Sequence, residues 1–163
     1  MSQFAEAEAR IRQLYAHYTD AVFRKDPAAF ADCFTEDAEW RISGMVMCGR
    51  DEIAGGFQHI ITSAKRVLIT FDTPLITLSE GATVARVAVT ERCAWTDRPP
   101  HFNMGMYFDR FVEDDDGWRF SWRLFQLFYK GPEDLSGPYH DNPDYGPPPN
   151  MPPLDAVPPA HRS

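Results

Sequence analysis

The hydrophobic period of this chain changes once, near Lys65, and that single change limits the folds open to it. Before it, apolar residues recur at helical spacing; after it, they alternate along four successive segments. Ile11, Leu14, Tyr15, Tyr18 and Val22 make one stripe on a helix predicted over residues 4–24. Asp26 and Pro27 offer an N-cap and a first-turn proline to a short helix beginning "DPAAFADCF". "DAEWRIS" reads as a short strand with Trp40 and Ile42 on one face. A third helix is predicted over 50–64, carried by Ile53, Phe57, Ile60, Ile61 and Ala64. Strands are predicted over 67–78, 82–96, 101–113 and 117–129, joined by "SEG", the longer "TDRPPH" and the tight polar "EDDDG". Helices first and an antiparallel meander second is an α+β plan, with helices covering one face of the sheet.

With 163 residues the chain is long enough for one domain with a substantial core. Its net charge of −8 argues against nucleic acid, which needs a basic patch, and gives no attraction to anionic lipid. The start "MSQFAEAEAR" lacks the basic and apolar runs of a signal peptide, and no stretch is apolar enough to span a membrane. Cys33, Cys48 and Cys93 have no paired spacing, so reduced thiols in a cytoplasmic protein are expected. Neither metal-ligand spacing nor a phosphate-binding loop is present, and no cofactor is expected. Ten of the fourteen prolines lie between 131 and 163. That shift divides the chain into a domain over 1–130 and a proline-rich tail over 131–163. The tail is expected to dock on the domain or on a neighbouring subunit through Tyr139, Tyr145 and Met151.

One carboxylate sits in the wrong phase. In "GATVARVAVTERCAW", Glu91 shares its alternation phase with Val87, Val89, Cys93 and Trp95, the residues a strand would bury. Desolvation there would raise its pKa and suit it to proton transfer near neutral pH. The alternative is an ion pair with Arg86, Arg92 or Arg123, since a buried carboxylate ordinarily needs one. Asp109 is read as the cross-strand partner of Arg123, provided that a three-residue loop at 115–117 sets the register. Asp20, His17 and His59 fall off their helical stripes and are read as exposed; His101 is read as solvent-facing at the start of its strand. The alternating phases Phe102, Met104, Met106, Phe108 and Trp118, Phe120, Trp122, Leu124 would wall an apolar cavity if both face inward.

"IRQLYAHYTDAVFRKD", "FTEDAEWRISG" and "MYFDRFVEDDDGWRFSWR" together resemble the SnoaL-like branch of the NTF2-like superfamily, over nearly all of residues 8–130. The resemblance implies an α+β cone, a curved and mostly antiparallel sheet wrapped around N-terminal helices that encloses an apolar pocket. Within that branch the chain resembles the bile-acid 7α-dehydratases and the hexachlorocyclohexane dehydrochlorinases. It implies catalytic roles for Tyr18 and Glu91. The Asp–His dyad of those enzymes falls on Phe23 and Ile69, neither of which can take a proton. The function expected is therefore cofactor-independent acid–base chemistry, of dehydratase or isomerase type, on a small hydrophobic or polycyclic molecule. The alternative is a non-catalytic binder that has lost the dyad, and a third reading is a scaffold with a filled cavity. Tyr15, Phe23, Trp40, Ile69 and Cys93 are expected to contact the ligand, as are Met104, Met106, Phe108 and Trp122. The resemblance also implies a homo-oligomer, a trimer before a dimer.

Overall fold

The computed structural model describes residues 2–158. Helix α1 spans Gln3–Arg24 and α2 spans Pro27–Ala31. Ser2 caps α1 by accepting from the Ala5 amide at 3.2 Å; Asp26 caps α2 by accepting from Ala29 at 3.0 Å. Strands β1 (Phe34–Ile42) and β2 (Met45–Cys48) form a hairpin. Its two turn residues, Ser43 and Gly44, have φ of 54° and 77°, the left-handed conformation that a tight hairpin turn demands. Helix α3 covers Arg50–Ile61.

The long alternating segment after Lys65 is two strands rather than one. β3 (Ala64–Phe71) and β4 (Leu75–Ser79) are separated at Pro74, which cannot donate to a ladder, and both pair with β5 (Ala82–Trp95). β6 (His101–Asp114) and β7 (Gly117–Gly131) complete the sheet. The order is β2-β1-β7-β6-β5-β3, with β4 beside β5. All pairs are antiparallel except β1 with β7. Helices against one face of a curved, unclosed sheet make the α+β cone.

Asp109 does stand opposite Arg123, though by another route than a three-residue loop. The β6–β7 turn has two residues, pairing Asp114 with Gly117, and a bulge between the Arg110 and Phe111 pairs restores the register. Ser121 is the extra residue; its hydroxyl donates to the Arg110 carbonyl at 3.1 Å.

Both faces of β6 and β7 are covered. The inner face meets the helices in the main core, which includes Ile11, Tyr18, Phe30, Phe34, Phe57 and Phe120. On the outer face, Phe108, Trp122 and Leu124 pack with Met106 under Tyr145, Met151 and Ala156 of the tail. Among the described residues, five outward side chains donate to tail carbonyls: Tyr129 to Pro132 (2.6 Å), Arg86 to Gly146 (2.7 Å), Arg110 to Pro152 (3.5 Å), Trp122 to Leu154 (3.2 Å) and Arg41 to Ala156 (3.0 Å). Tyr139 bridges Tyr129 through its backbone while its own side chain stays exposed.

Candidate active site

Between the helices and the inner sheet face lies a cavity of about 540 Å³. Phe30, Trp40, Phe57, Tyr107 and Phe125 form its buried walls, and α1 contributes Tyr18 and Val22. The exposed residues His59, Thr62, Asp97 and Arg98 mark its mouth.

Glu91 faces this cavity from β5 and is 9% exposed. Strand register places Ile69, Glu91, Asn103 and Lys130 in one row across β3, β5, β6 and β7, and all four line the cavity. Asn103 donates from Nδ2 to the Glu91 Oε2 at 3.0 Å. No arginine pairs with Glu91: Arg86 holds Gly146, Arg92 holds Glu133 and Arg123 holds Asp109. Burial therefore raises the Glu91 pKa above the ordinary carboxylate range, offset in part by the Asn103 hydrogen bond and the more distant Arg123 charge. Such a carboxyl holds its proton longer than an exposed one as pH rises, and so can act as an acid and, after donation, as a base.

Tyr18 stands across the cavity, its hydroxyl 3.3 Å from that of Tyr107. Burial raises both phenols well above their usual pKa, so both are neutral donors. Beneath them lies Arg123, fully buried, its guanidinium 3.8 Å from the Tyr107 ring centre, 4.1 Å from Phe120 and 4.3 Å from Tyr18. Its Nε is 2.9 Å from Asp109, whose carboxylate also accepts from the Tyr15 hydroxyl at 2.6 Å. Burial pushes the Asp109 pKa up, with Arg123 and then Tyr15 pulling it back. This charged pair sets the tyrosines in place from behind.

Among the described residues, the buried Asn103 Oδ1 and Trp40 Nε1, both of cavity-lining residues, make no hydrogen bond. Cys93 lines the cavity as a neutral thiol, its pKa pushed up to about 12 chiefly by burial. His101 is also on the cavity and is held neutral, its pKa lowered to about 4 by burial and by the charges of Lys130 and Arg98. Its Nδ1 accepts from the Trp95 indole at 3.2 Å. Among the described residues no three His, Cys, Asp or Glu side chains are grouped to hold a metal ion.

Of the residues singled out in the sequence, Tyr18, Glu91, Trp40, Ile69 and Cys93 come together on this cavity. Tyr15 does not; its hydroxyl turns to Asp109 in the core. Phe23 is 49% exposed beneath Arg66, because it falls off the buried stripe of α1 and Val22 takes the cavity position. The expected inward phase of β6 and β7 is corrected by the structure. Phe108 and Trp122, with Met106, are on the outer face under the tail, and Met104 shares that phase. Asn103, Tyr107, His101, Phe125 and Lys130 line the cavity instead and were not recognised as site residues. A signal existed: once Asp109 pairs inward with Arg123, alternation puts Tyr107, Asn103 and His101 on the same side.

A SnoaL-like domain profile matches residues 3–123. The chain belongs to the SnoaL-like family. Within the NTF2-like fold, this SnoaL-like chain is similar to several solved structures. A candidate scytalone dehydratase from Novosphingobium aromaticivorans superposes with a TM-score of 0.71 at 22% identity, covering 95% of this chain and 93% of that one. The hexachlorocyclohexane dehydrochlorinase LinA type 2 gives 0.73 at 17% identity, covering 86% and 96%. Rv3472 of Mycobacterium tuberculosis, a protein of unknown function, gives 0.69 at 25% identity over 77% of each chain. No curated protein matches the chain by sequence.

Proposed function

We propose that this SnoaL-like protein is a cofactor-independent acid–base enzyme, a dehydratase or isomerase acting on a small, flat, hydrophobic molecule that carries oxygen. The observation that supports this most is the meeting of a buried, arginine-free Glu91 and the Tyr18 hydroxyl on one cavity. In this reading, the protonated Glu91 gives its proton to a leaving hydroxyl, which departs as water. The resulting carboxylate takes the proton from the neighbouring carbon, and the electron pair left behind forms the double bond. Glu91 is thereby returned to its starting state, and one carboxyl serves where the dehydratases of the family use a separate dyad. Tyr18, backed by Tyr107, donates to a carbonyl oxygen on the substrate and stabilises the charge that develops there. Asn103 holds Glu91 in place through its Nδ2. Without a leaving group, the same shuttle moves a proton between carbons and the reaction is an isomerisation.

The second reading, a non-catalytic binder, is favoured by Ile69, which stands directly opposite Glu91 where the resemblance puts a histidine. Hydrogen exchange separates the two. Hydroxylated bicyclic and tricyclic ketones are incubated with the protein in heavy water and examined by mass spectrometry. The enzyme reading expects deuterium at the carbon beside the carbonyl, or loss of water, with both abolished in Glu91→Gln while binding persists. Binding with no exchange favours the binder; equal exchange in Glu91→Gln removes Glu91 from the chemistry.

A further inference from the structure

Lys130 closes the row that contains Glu91, and nothing in the reading above uses it. It lines the cavity from β7, half-buried, and its ammonium makes no hydrogen bond or ion pair with any described residue. Its charge reaches Cys93 and His101, both of which lie on the cavity wall. A second cation lines the same cavity and reaches the same two side chains. Arg98 lies on the Trp95 ring at 4.0 Å, held at the mouth by the two prolines that follow it, with Ser63 Oγ at 3.2 Å. Asp97 approaches Arg98 only to 3.7 Å and is exposed, so it offsets this charge weakly. His101, being neutral, adds none. The cavity of a chain whose net charge is −8 thus carries two cations toward its mouth and aromatic walls further in.

An unpaired lysine at the rim of a largely apolar cavity is a recognition element for an oxyanion. A carboxylate fits this site, because it would accept from Lys130 and Arg98 while its apolar body entered among Trp40, Phe57 and Phe125. We propose that the ligand is a hydrophobic carboxylic acid, bound body-first, with its carboxylate held at the mouth by Lys130 and assisted by Arg98. This rests on reading the cavity as the substrate site, and it makes Lys130 a residue that sets specificity and orientation. The orientation matters to the chemistry: fixing the acid end at the rim sets how far along the body Glu91 and Tyr18 can reach.

The test is a binding comparison by titration calorimetry, using 1-naphthaleneacetate and its primary amide, which differ in charge and little in shape. The wild type is expected to bind the acid about tenfold more tightly than the amide, the scale of one charge-assisted hydrogen bond. That preference should shrink as sodium chloride rises from about 0.05 to 0.5 M. Lys130→Met should bring the two ligands to within about threefold by weakening the acid alone, while Lys130→Arg keeps the preference. Amide binding serves as the check that the Lys130→Met cavity is intact. Equal affinity for acid and amide in the wild type overturns the proposal. So does a preference that survives Lys130→Met, and so does failure of both ligands to bind. Glu91→Gln should retain the acid preference, so failed proton chemistry and failed anion recognition read out separately.

Discussion

Replacing Arg123 by methionine tests how the buried pair behind the tyrosines is held together. The change keeps most of the apolar stem and removes the charge. Asp109, fully buried, then keeps only the Tyr15 hydroxyl as a partner. Breaking a buried pair by deleting one member costs about 3–5 kcal/mol, because the other charge stays behind uncompensated. In a domain of this size that corresponds to about 6–20 °C in Tm. The sign of the pH dependence follows from Asp109, whose pKa burial already holds above its unfolded value against the pull of Arg123. A carboxyl raised on folding contributes most below its unfolded pKa of about 3.9, and that contribution is lost as pH rises through the folded value. Removing Arg123 raises the folded value further, and each added unit costs about 1.36 kcal/mol at alkaline pH. The gap between wild type and variant should thus be widest near about pH 8 and shrink toward about pH 5. What persists under acid is the loss of contacts with the tyrosine and phenylalanine rings, about 1–2 kcal/mol. Urea denaturation at the two pH values, followed by circular dichroism, measures both. Adding Asp109→Asn to the variant should recover most of the alkaline loss. A gap independent of pH, or one that widens under acid, would refute this account of the pair.

Glu91→Gln should be more stable than the wild type near about pH 8, because it removes a carboxyl whose pKa burial raises; the difference should vanish below about pH 4, as urea midpoints would show. Gly105→Ala should cost about 1–3 kcal/mol in thermal denaturation, since a Cβ there would lie 2.4 Å from the Phe125 ring and 2.6 Å from the Gln126 carbonyl oxygen. Tyr18→Phe should lose less than about 1.5 kcal/mol of stability with its single hydroxyl contact, yet slow deuterium exchange into a bound ketone at least about tenfold. Deleting the tail from Pro132 should shift Trp122 fluorescence to the red and lower stability by at least about 2 kcal/mol, because Phe108, Trp122 and Leu124 lose their cover. Unchanged emission would mean that the tail does not shield that face in solution.

The architecture was legible because its signals were local and redundant. The stripe of α1, the Asp26–Pro27 start of α2 and the alternation of β5 each point to one conformation, and each formed. Glu91 was legible for the same reason: β5 is apolar in one phase only, so a carboxylate in that phase stands out. In β6 and β7 that contrast is missing. The tail covers their outer face, so both phases carry large apolar side chains, and hydrophobicity alone cannot tell cavity from strap. The pairing of Asp109 with Arg123 was readable from the register, but its complete burial, and the place of Asn103 beside Glu91, were not. Phe23 misled through position: one step along α1 turned it out of the buried stripe.

The strap over the outer sheet face is gripped by what every residue possesses, a carbonyl oxygen. At Gly146, Pro152, Leu154 and Ala156 the carbonyls accept from side chains of the sheet. Proline loses nothing at such a position, since the amide hydrogen it lacks is not asked for. For these carbonyls the choice of partner resides in Arg41, Arg86, Arg110 and Trp122, while Tyr145, Met151 and Asn142 supply the strap's own side-chain contacts. Sequence drift is therefore tolerable at those accepting positions, but not at Tyr145 or Met151, whose side chains cover the outer face. Each of those four donors, by contrast, is answerable for a carbonyl that, among the described residues, no other side chain reaches.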